Sequence, residues 1–273
     1  MISSRKNDSK QLWRTIKHLV NLKPESKTAP SELVNSNGKE IRNPCDIANE
    51  FNKYFSSIGP KMAEQFPYSN ILPHLLQQCD NSFFLHETSV EEVQHLISNL
   101  KEGKALQQSD IPTKFLKMAT SVVAPYLVRI YNCCMIEGVY PNELKIAQVI
   151  PVFKSGNTHL CSNYRPISIL SQLNKIFEKV LHARVYSYLQ EFNLLSPHQY
   201  GFRPQSSTAL AVENICSQLY QSSDSGLYTC SLFIDLSKAF DTVNHAILLD
   251  KMEYSFGIKG GALKLFSNYL SNR

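Results

Sequence analysis

Residues 227–241 restrict the fold more than any other stretch of this chain. Leu227 to Ile234 is an apolar, β-prone run that ends on one carboxylate, Asp235, and then breaks into the polar turn around Ser237 and Lys238. The run predicts a buried strand with an acid at its mouth, followed by a return to helical spacing. On a strand, Thr229, Ser231, Phe233 and Asp235 share one face, and Tyr228, Cys230, Leu232 and Ile234 share the other. A carboxylate at the tip of an apolar strand costs stability unless it is hydrated, paired or bound to a cation. Two readings are open. Asp235 ligates a hard cation such as Mg2+, which takes oxygen donors, or it caps the turn through nearby backbone N–H groups. Asp241, further along, reads as a cap for the next helix beside Asn244 and His245.

Elsewhere helical periodicity dominates, so the chain reads as α+β, helix-rich, with few strands. Leu12, Trp13, Ile16, Leu19 and Val20 predict a basic amphipathic helix over 8–22, and 23–44 has the composition of a linker. Ile47, Phe51, Tyr54 and Phe55 predict a second helix that stops at Gly59-Pro60. Ser89-x-x-Glu92 is a capping box ahead of Val93, Leu96, Ile97 and Leu100. Asp110-Ile111-Pro112 predicts a helix start, 122–136 a long buried helix ending at Gly138, and Pro141 a short turn. Ile146 to Phe153 is β-prone and runs into the turn Lys154-Ser155-Gly156-Asn157. Further helices are predicted from Leu173 to Leu189 and at about 207–220, 245–254 and 261–270.

The net charge of +5 is unevenly placed. Residues 1–30 alone carry +5, seven Lys/Arg against Asp8 and Glu25. Residues 142–204 carry +4, with Lys145, Lys154, Arg165, Lys175, Lys179, Arg184 and Arg203 set against Glu143, Glu178 and Glu191. Such an excess suits an anionic partner, and a solvated face is the alternative. The 7 cysteines form no C-x-x-C pair, which reads as reduced thiols, with Cys133-Cys134 in the core. No apolar run approaches the ~20 residues that span a bilayer, and the start lacks a signal peptide's apolar segment. The expectation is a cytoplasmic or nuclear protein away from membranes.

Lys154, Arg165 and Arg203 each stand on a turn near aromatics, where bidentate guanidinium suits phosphate; surface ion pairing is the plainer reading. In chain order, four segments resemble the motifs of a reverse transcriptase of LINE-type (non-LTR, jockey-like) retrotransposons. They are Ile150-Pro151-Val152-Phe153-Lys154-Ser155-Gly156, Asn163-Tyr164-Arg165-Pro166-Ile167-Ser168-Ile169-Leu170, His198-Gln199-Tyr200-Gly201-Phe202-Arg203-Pro204, and Phe233-Ile234-Asp235-Leu236-Ser237-Lys238-Ala239-Phe240-Asp241-Thr242-Val243. Weaker similarity extends upstream through 47–59 and 10–21.

The resemblance implies a right-hand polymerase with helix-rich fingers and the first part of the palm, truncated before the rest of the palm and the thumb. The implied divisions are 1–44 (basic helix and linker), 45–140 (helical upstream extension and fingers) and 141–273 (partial reverse transcriptase domain). The implied activity is RNA-directed DNA polymerase (nucleotidyltransferase) of a transposable element, on an RNA template, a DNA primer and dNTPs, with Mg2+. In that frame Asp235 is the catalytic, first metal-binding aspartate, with the Leu236 carbonyl beside the same ion. Lys154 and Arg165 meet the incoming triphosphate, and Phe240 stands against the sugar 2′ position. Gly201, Phe202 and Arg203 lie near the template. The sequence departs from the family in two places. It contains no Asp-Asp pair, and two-metal transfer needs acids on both ions. Lys104 to Pro112 also replaces a Gly-Pro-Asp-Gly-Ile-Pro segment, and neither an endonuclease domain nor a thumb is recognisable. The chain is therefore expected to be inactive alone. The alternative is a non-catalytic nucleic-acid-binding module derived from a reverse transcriptase, whose binding falls steeply with salt.

Overall fold

The computed structural model describes residues 30–63, 79–108, 110–236 and 238–272, so the helix predicted over 8–22 lies outside the described residues. The chain divides into two compact units: Met1–Ser56 with Val149–Ile167, and Ser57–Gln148 with Ser168–Arg273.

In the first unit, β1 (Leu33–Val34) and β2 (Glu40–Ile41) pair antiparallel, Leu33 opposite Ile41. The Asn35 side chain holds their turn by accepting from the N–H groups of Asn37 and Lys39. This hairpin occupies the described end of the segment with linker composition. β3 (Gln148–Phe153) and β4 (Tyr164–Ile169) form a second two-stranded sheet, extended by the Lys154 N–H donating to Asn163 O at 2.8 Å. A connection this short fits only an antiparallel pair. Residue 154 therefore lies opposite 163, and the same register sets Phe153 opposite Tyr164 and Pro151 opposite Pro166. The two prolines then fall at a non-hydrogen-bonded position, where neither missing N–H removes a ladder bond. Period-2 alternation puts Phe153 and Tyr164 on one face, edge to edge at 5.4 Å. Tyr164 meets Phe51 at 5.0 Å, and Leu33, Ile47 and Cys161 complete this core. Burial pushes the Cys161 thiol up to about 11.

Phe51 and Ile47 belong to α1 (Pro44–Ala63), which runs through Gly59-Pro60 rather than stopping there. Pro60 removes one i→i−4 bond, but Ile58 is buried immediately before it, and that anchorage carries the helix on.

The second unit is helical: α2 (Val90–Ser98), α3 (Thr113–Met118), α4 (Thr120–Glu137), α5 (Asn142–Lys145), α6 (Gln172–Glu191), α7 (Thr208–Asp224), α8 (His245–Tyr254) and α9 (Gly260–Leu270). Its main core joins Val93 and Ile97 of α2, Leu127 and Tyr131 of α4, and Phe177 and Val180 of α6. Phe177, fully buried, lies between the stacked rings of Tyr131 (4.6 Å) and Tyr140 (5.0 Å). The Tyr131 hydroxyl donates to Leu173 O, and the Tyr140 hydroxyl to the Asn174 amide oxygen. The predicted burial of α4 holds for one face only. Cys134 is buried while Cys133, Val122 and Tyr126 are exposed. Gly138 ends α4 in the left-handed region (φ 66), as an αL cap requires. Gly257 (φ 65) is equally obligatory, since a Cβ there would lie 1.9 Å from Asn81 O.

The capping box forms, with Ser89 Oγ accepting from the Glu92 N–H. Glu92 also takes Arg184 Nη1 at 2.7 Å and Nη2 at 2.5 Å, and the Thr88 hydroxyl at 2.8 Å. Arg184 in addition donates to the carbonyls of His86 and Glu87. The Arg184 hydrogen bonds hold the Glu92 carboxyl below the ordinary range. Arg184→Ala is expected to cost about 2–3 kcal/mol at pH 7, discounted because the two side chains are 18% and 28% exposed. A carboxyl lowered in the folded state contributes stability that is complete above about pH 4.3 and lost as pH falls through its lowered folded value. Denaturant midpoints measured from pH 7 to pH 3 should fall less in Arg184→Ala than in the parent, and identical acid limbs would contradict the assignment.

One expectation fails. The run 227–235, predicted to be the first palm strand, is neither a strand nor buried. It lies outside the two described sheets and is open to solvent, with Leu232, Phe233 and Ile234 each about 80% exposed. Alternating apolar sequence gives a strand only when a neighbour supplies the ladder, and the described residues contain none for it. Among the described residues no helix is long and apolar enough to cross a membrane.

Candidate functional site

The β3–β4 hairpin sets the geometry of two site residues. Since 154 lies opposite 163, Lys154, Asn163 and Arg165 share the face opposite Phe153 and Tyr164. Lys154 and Arg165 are both exposed, whereas Tyr164 is buried. Alternation alone turns the aromatics inward and the cations outward. Gly156 (φ 92) shapes the connection, and the Asn163 amide donates to Asn157 O at 2.8 Å, so the loop carrying Lys154 is braced from within.

A second cluster lies where residues 196–205 meet residues 236–242. Phe202 and Phe240 stand edge to face, with ring centroids 5.6 Å apart. Two residues singled out from separate sequence segments are thus in contact. Both loops hold bulky side chains in the left-handed region: Phe202 at φ 59 and Lys238 at φ 53. That conformation costs of order 1 kcal/mol for a non-glycine residue and concentrates at functional sites. The supports are local. Arg203 Nη1 donates to Ser196 O at 2.8 Å, and the Asn214 amide of α7 donates to the Tyr200 hydroxyl at 2.6 Å. Gly59 of α1 adds a support that sequence reasoning missed. A Cβ there would sit 2.9 Å from Asp241 O, so the turn approaches the helix only because the side chain is absent. In sequence Gly59-Pro60 carries only a helix-stop signal, so nothing marked this contact.

Asp235 and Leu236 are exposed, directly after the solvent-open run from Leu227 to Ile234. Asp241 does not cap the following helix. Asn244 does, its side chain accepting from the N–H groups of Ala246 and Ile247, while the Asp241 N–H donates to Lys238 O within the turn. The reason is distance, because an N-cap must stand directly before the first helical residue, His245. Among the described residues no group of three His, Cys, Asp or Glu is placed to hold a metal ion. Asp235 offers one hard oxygen ligand where two-metal chemistry needs several, so these residues do not by themselves fit a complete Mg2+ site.

The basic excess over 142–204 is smaller than its formal count. Arg184 is spent on Glu92. Lys145 is buried, its ammonium 3.4 Å from Ser271 O and Oγ at the C-terminal end of α9, where a cation complements the helix carbonyls.

Comparison with known proteins follows the same segments. A family model described as reverse transcriptase (RNA-dependent DNA polymerase) matches residues 152–270, which contain the last three motif segments whole and the first from Val152 onward. The chain is 30% identical over 211 residues to a probable RNA-directed DNA polymerase from transposon BS of Drosophila melanogaster, covering 77% of this chain and 23% of that protein. It is 26% identical over 259 residues to the RNA-directed DNA polymerase from mobile element jockey of Drosophila melanogaster, covering 90% of this chain and 27% of that protein. A probable RNA-directed DNA polymerase from transposon X-element of the same species is 27% identical over 183 residues. The chain spans between 20% and 27% of the length of these three curated relatives.

Proposed function

Because residues 152–270 belong to the reverse transcriptase (RNA-dependent DNA polymerase) family, we propose that this chain supplies the nucleotide- and template-facing part of an RNA-directed DNA polymerase of a non-LTR mobile element. In this reading it forms the helix-rich fingers and the first part of the palm of a right-hand polymerase, acting with an RNA template, a DNA primer and dNTPs. The observation that carries it is the shared outer face of Lys154 and Arg165. An ammonium and a guanidinium projected from one braced hairpin suit a triphosphate, the first as a point charge and the second as a planar fork.

The remaining roles follow in the same frame. Phe240 stands against the sugar 2′ position, and the edge contact from Phe202 fixes its ring. Gly201, Phe202 and Arg203 border the template, on a loop tied to α7 through Tyr200. Asp235 and the Leu236 carbonyl are the donors this chain offers to Mg2+, which in such polymerases activates the primer hydroxyl and steadies the leaving group.

Titration of the chain with a fluorescent dNTP tests the reading. Lys154→Ala and Arg165→Ala are each expected to weaken binding about tenfold, the loss of one charge-assisted hydrogen bond. Unchanged affinity in both variants would remove the triphosphate assignment. RNA-templated primer extension by the 273 residues alone is expected to be absent, since one carboxylate cannot hold two ions.

A further inference from the structure

The two faces of α4 are unlike. Leu127, Tyr131, Cys134 and Met135 are buried in the main core. A second stripe, about 120° wide at roughly 100° per residue and centred on Cys133, holds Tyr126, Arg129, Ile130, Cys133, Ile136 and Glu137. Each of these is exposed, Tyr126 and Ile136 by 69% and 68%. The solvent side of a surface helix ordinarily carries charged and polar residues, and a contiguous apolar patch rimmed by polar groups marks an interaction surface. The stripe is also balanced about its centre. Arg129 stands four positions before Cys133 and Glu137 four after, while Ile130 and Ile136 stand three before and three after. Neither Arg129 nor Glu137 joins an ion pair among the described residues. Lys264 Nζ donates to the Glu137 backbone carbonyl at 2.9 Å and caps the helix end.

We propose that this stripe is a self-association surface, on which a second copy of the chain docks with its α4 antiparallel about a twofold axis close to Cys133. Residues equally far from the axis then meet, so Arg129 of each copy faces Glu137 of the other, and Ile130 faces Ile136. Cys133 faces its own counterpart. The occupant follows from the charges, because one helix carries both halves of each ion pair in matched places. Parallel docking would instead set Arg129 against Arg129 and Glu137 against Glu137, and like charges placed together disfavour it. Burial of Ile130 and Ile136, with Tyr126 at either end, supplies the attraction. The exposed ion pairs fix the direction and add little energy. About three turns of one helix is a small patch beside the ~800 Å² that each partner gives a standard interface, so association is expected at roughly 10 µM.

The test is sedimentation velocity of the full chain over a concentration series spanning that value, where the parent is expected to pass from monomer to dimer. Arg129→Glu and Glu137→Arg should each weaken dimerisation about tenfold or more, since either change sets like charges together at both ends of the contact. Arg129→Glu combined with Glu137→Arg restores opposite pairs and should return to within about threefold of the parent. A short bismaleimide added to the parent should join Cys133 to Cys133, read by mass spectrometry of the linked peptide. Cys45, Cys216 and Cys230 are also exposed, so the place of linkage is informative. Cys230 lies in the solvent-open run from Leu227 to Ile234, the rival surface for a second copy. Circular dichroism controls for folding, and if a charge variant misfolds, the Cys133 linkage in the parent decides. The proposal is overturned by a parent that stays monomeric throughout, by single reversals that associate like the parent, or by a double variant as weak as the single ones. Linkage at Cys216 or Cys230 without linkage at Cys133 would also overturn it. The dNTP titration is independent of all these outcomes, because the stripe shares no residue with the groups proposed for nucleotide, metal or template.

Discussion

With the remaining acids of a two-metal site supplied in the same polypeptide, Asp235→Asn is expected to cut RNA-templated primer extension by roughly a thousandfold or more. The reasoning is electrostatic. Asn keeps the size of the side chain and removes the charge, and a metal clamp contributes several kcal/mol of transition-state stabilisation. A loss of about 4 kcal/mol corresponds to roughly three decades in rate. Asp235 is exposed and belongs to none of the buried clusters, so its replacement should leave the thermal midpoint of the isolated chain unchanged. The useful measurement is therefore a pair: single-turnover extension on an RNA template, and thermal denaturation of the same variant. Retained extension would exclude Asp235 as a ligand. A large fall in midpoint would give it a structural role instead.

The second large effect concerns stability. Phe177→Ala should destabilise the second unit by about 3–5 kcal/mol, as for a buried aromatic cut back to alanine. The site cannot close over the loss easily. Tyr131 and Tyr140 flank the ring on both sides, and each is tied through its hydroxyl to α6, at Leu173 O and at Asn174. Their planes are held apart, so the cavity stays. Against a typical total of about 5–15 kcal/mol this is a major fraction, and the melting midpoint should drop by roughly 10 °C or more. Phe177→Leu should recover more than half of the loss by refilling volume without aromatic stacking. A fall of less than about 1 kcal/mol in Phe177→Ala would mean that the three-ring stack is not the centre of this core.

What the sequence disclosed and what it withheld separate along physical lines. Features that depend on a few consecutive residues were readable. The capping box at Ser89 and Glu92, the αL stop at Gly138, the strand ending at Lys154, and the helices on Leu173 to Leu189 and 245–254 all follow from local hydrogen bonding and spacing. β4 escaped notice because Arg165 and Pro166 interrupt its alternation, and only the register against Pro151 shows why the proline is harmless. The stop expected at Gly59-Pro60 did not occur, since Ile58 is anchored in packing that no local window includes. For the site, Phe202 and Phe240 were both named from motifs, but their meeting was not, because close to forty residues of chain separate them.

The exposed run from Leu227 to Ile234 bears on how the Asp235 carboxylate is held. The Leu227 N–H donates to Ser222 O, but from residue 228 onward the run lies outside both described sheets, and from Leu227 to Ile234 no charge and no proline bars a further strand from pairing with it. A strand that docked there would stiffen the chain up to Asp235, so pairing of the run and placement of that carboxylate would be a single event. The same run invites a second copy of the chain to pair with it, and self-association would then begin at the residues that lead to Asp235.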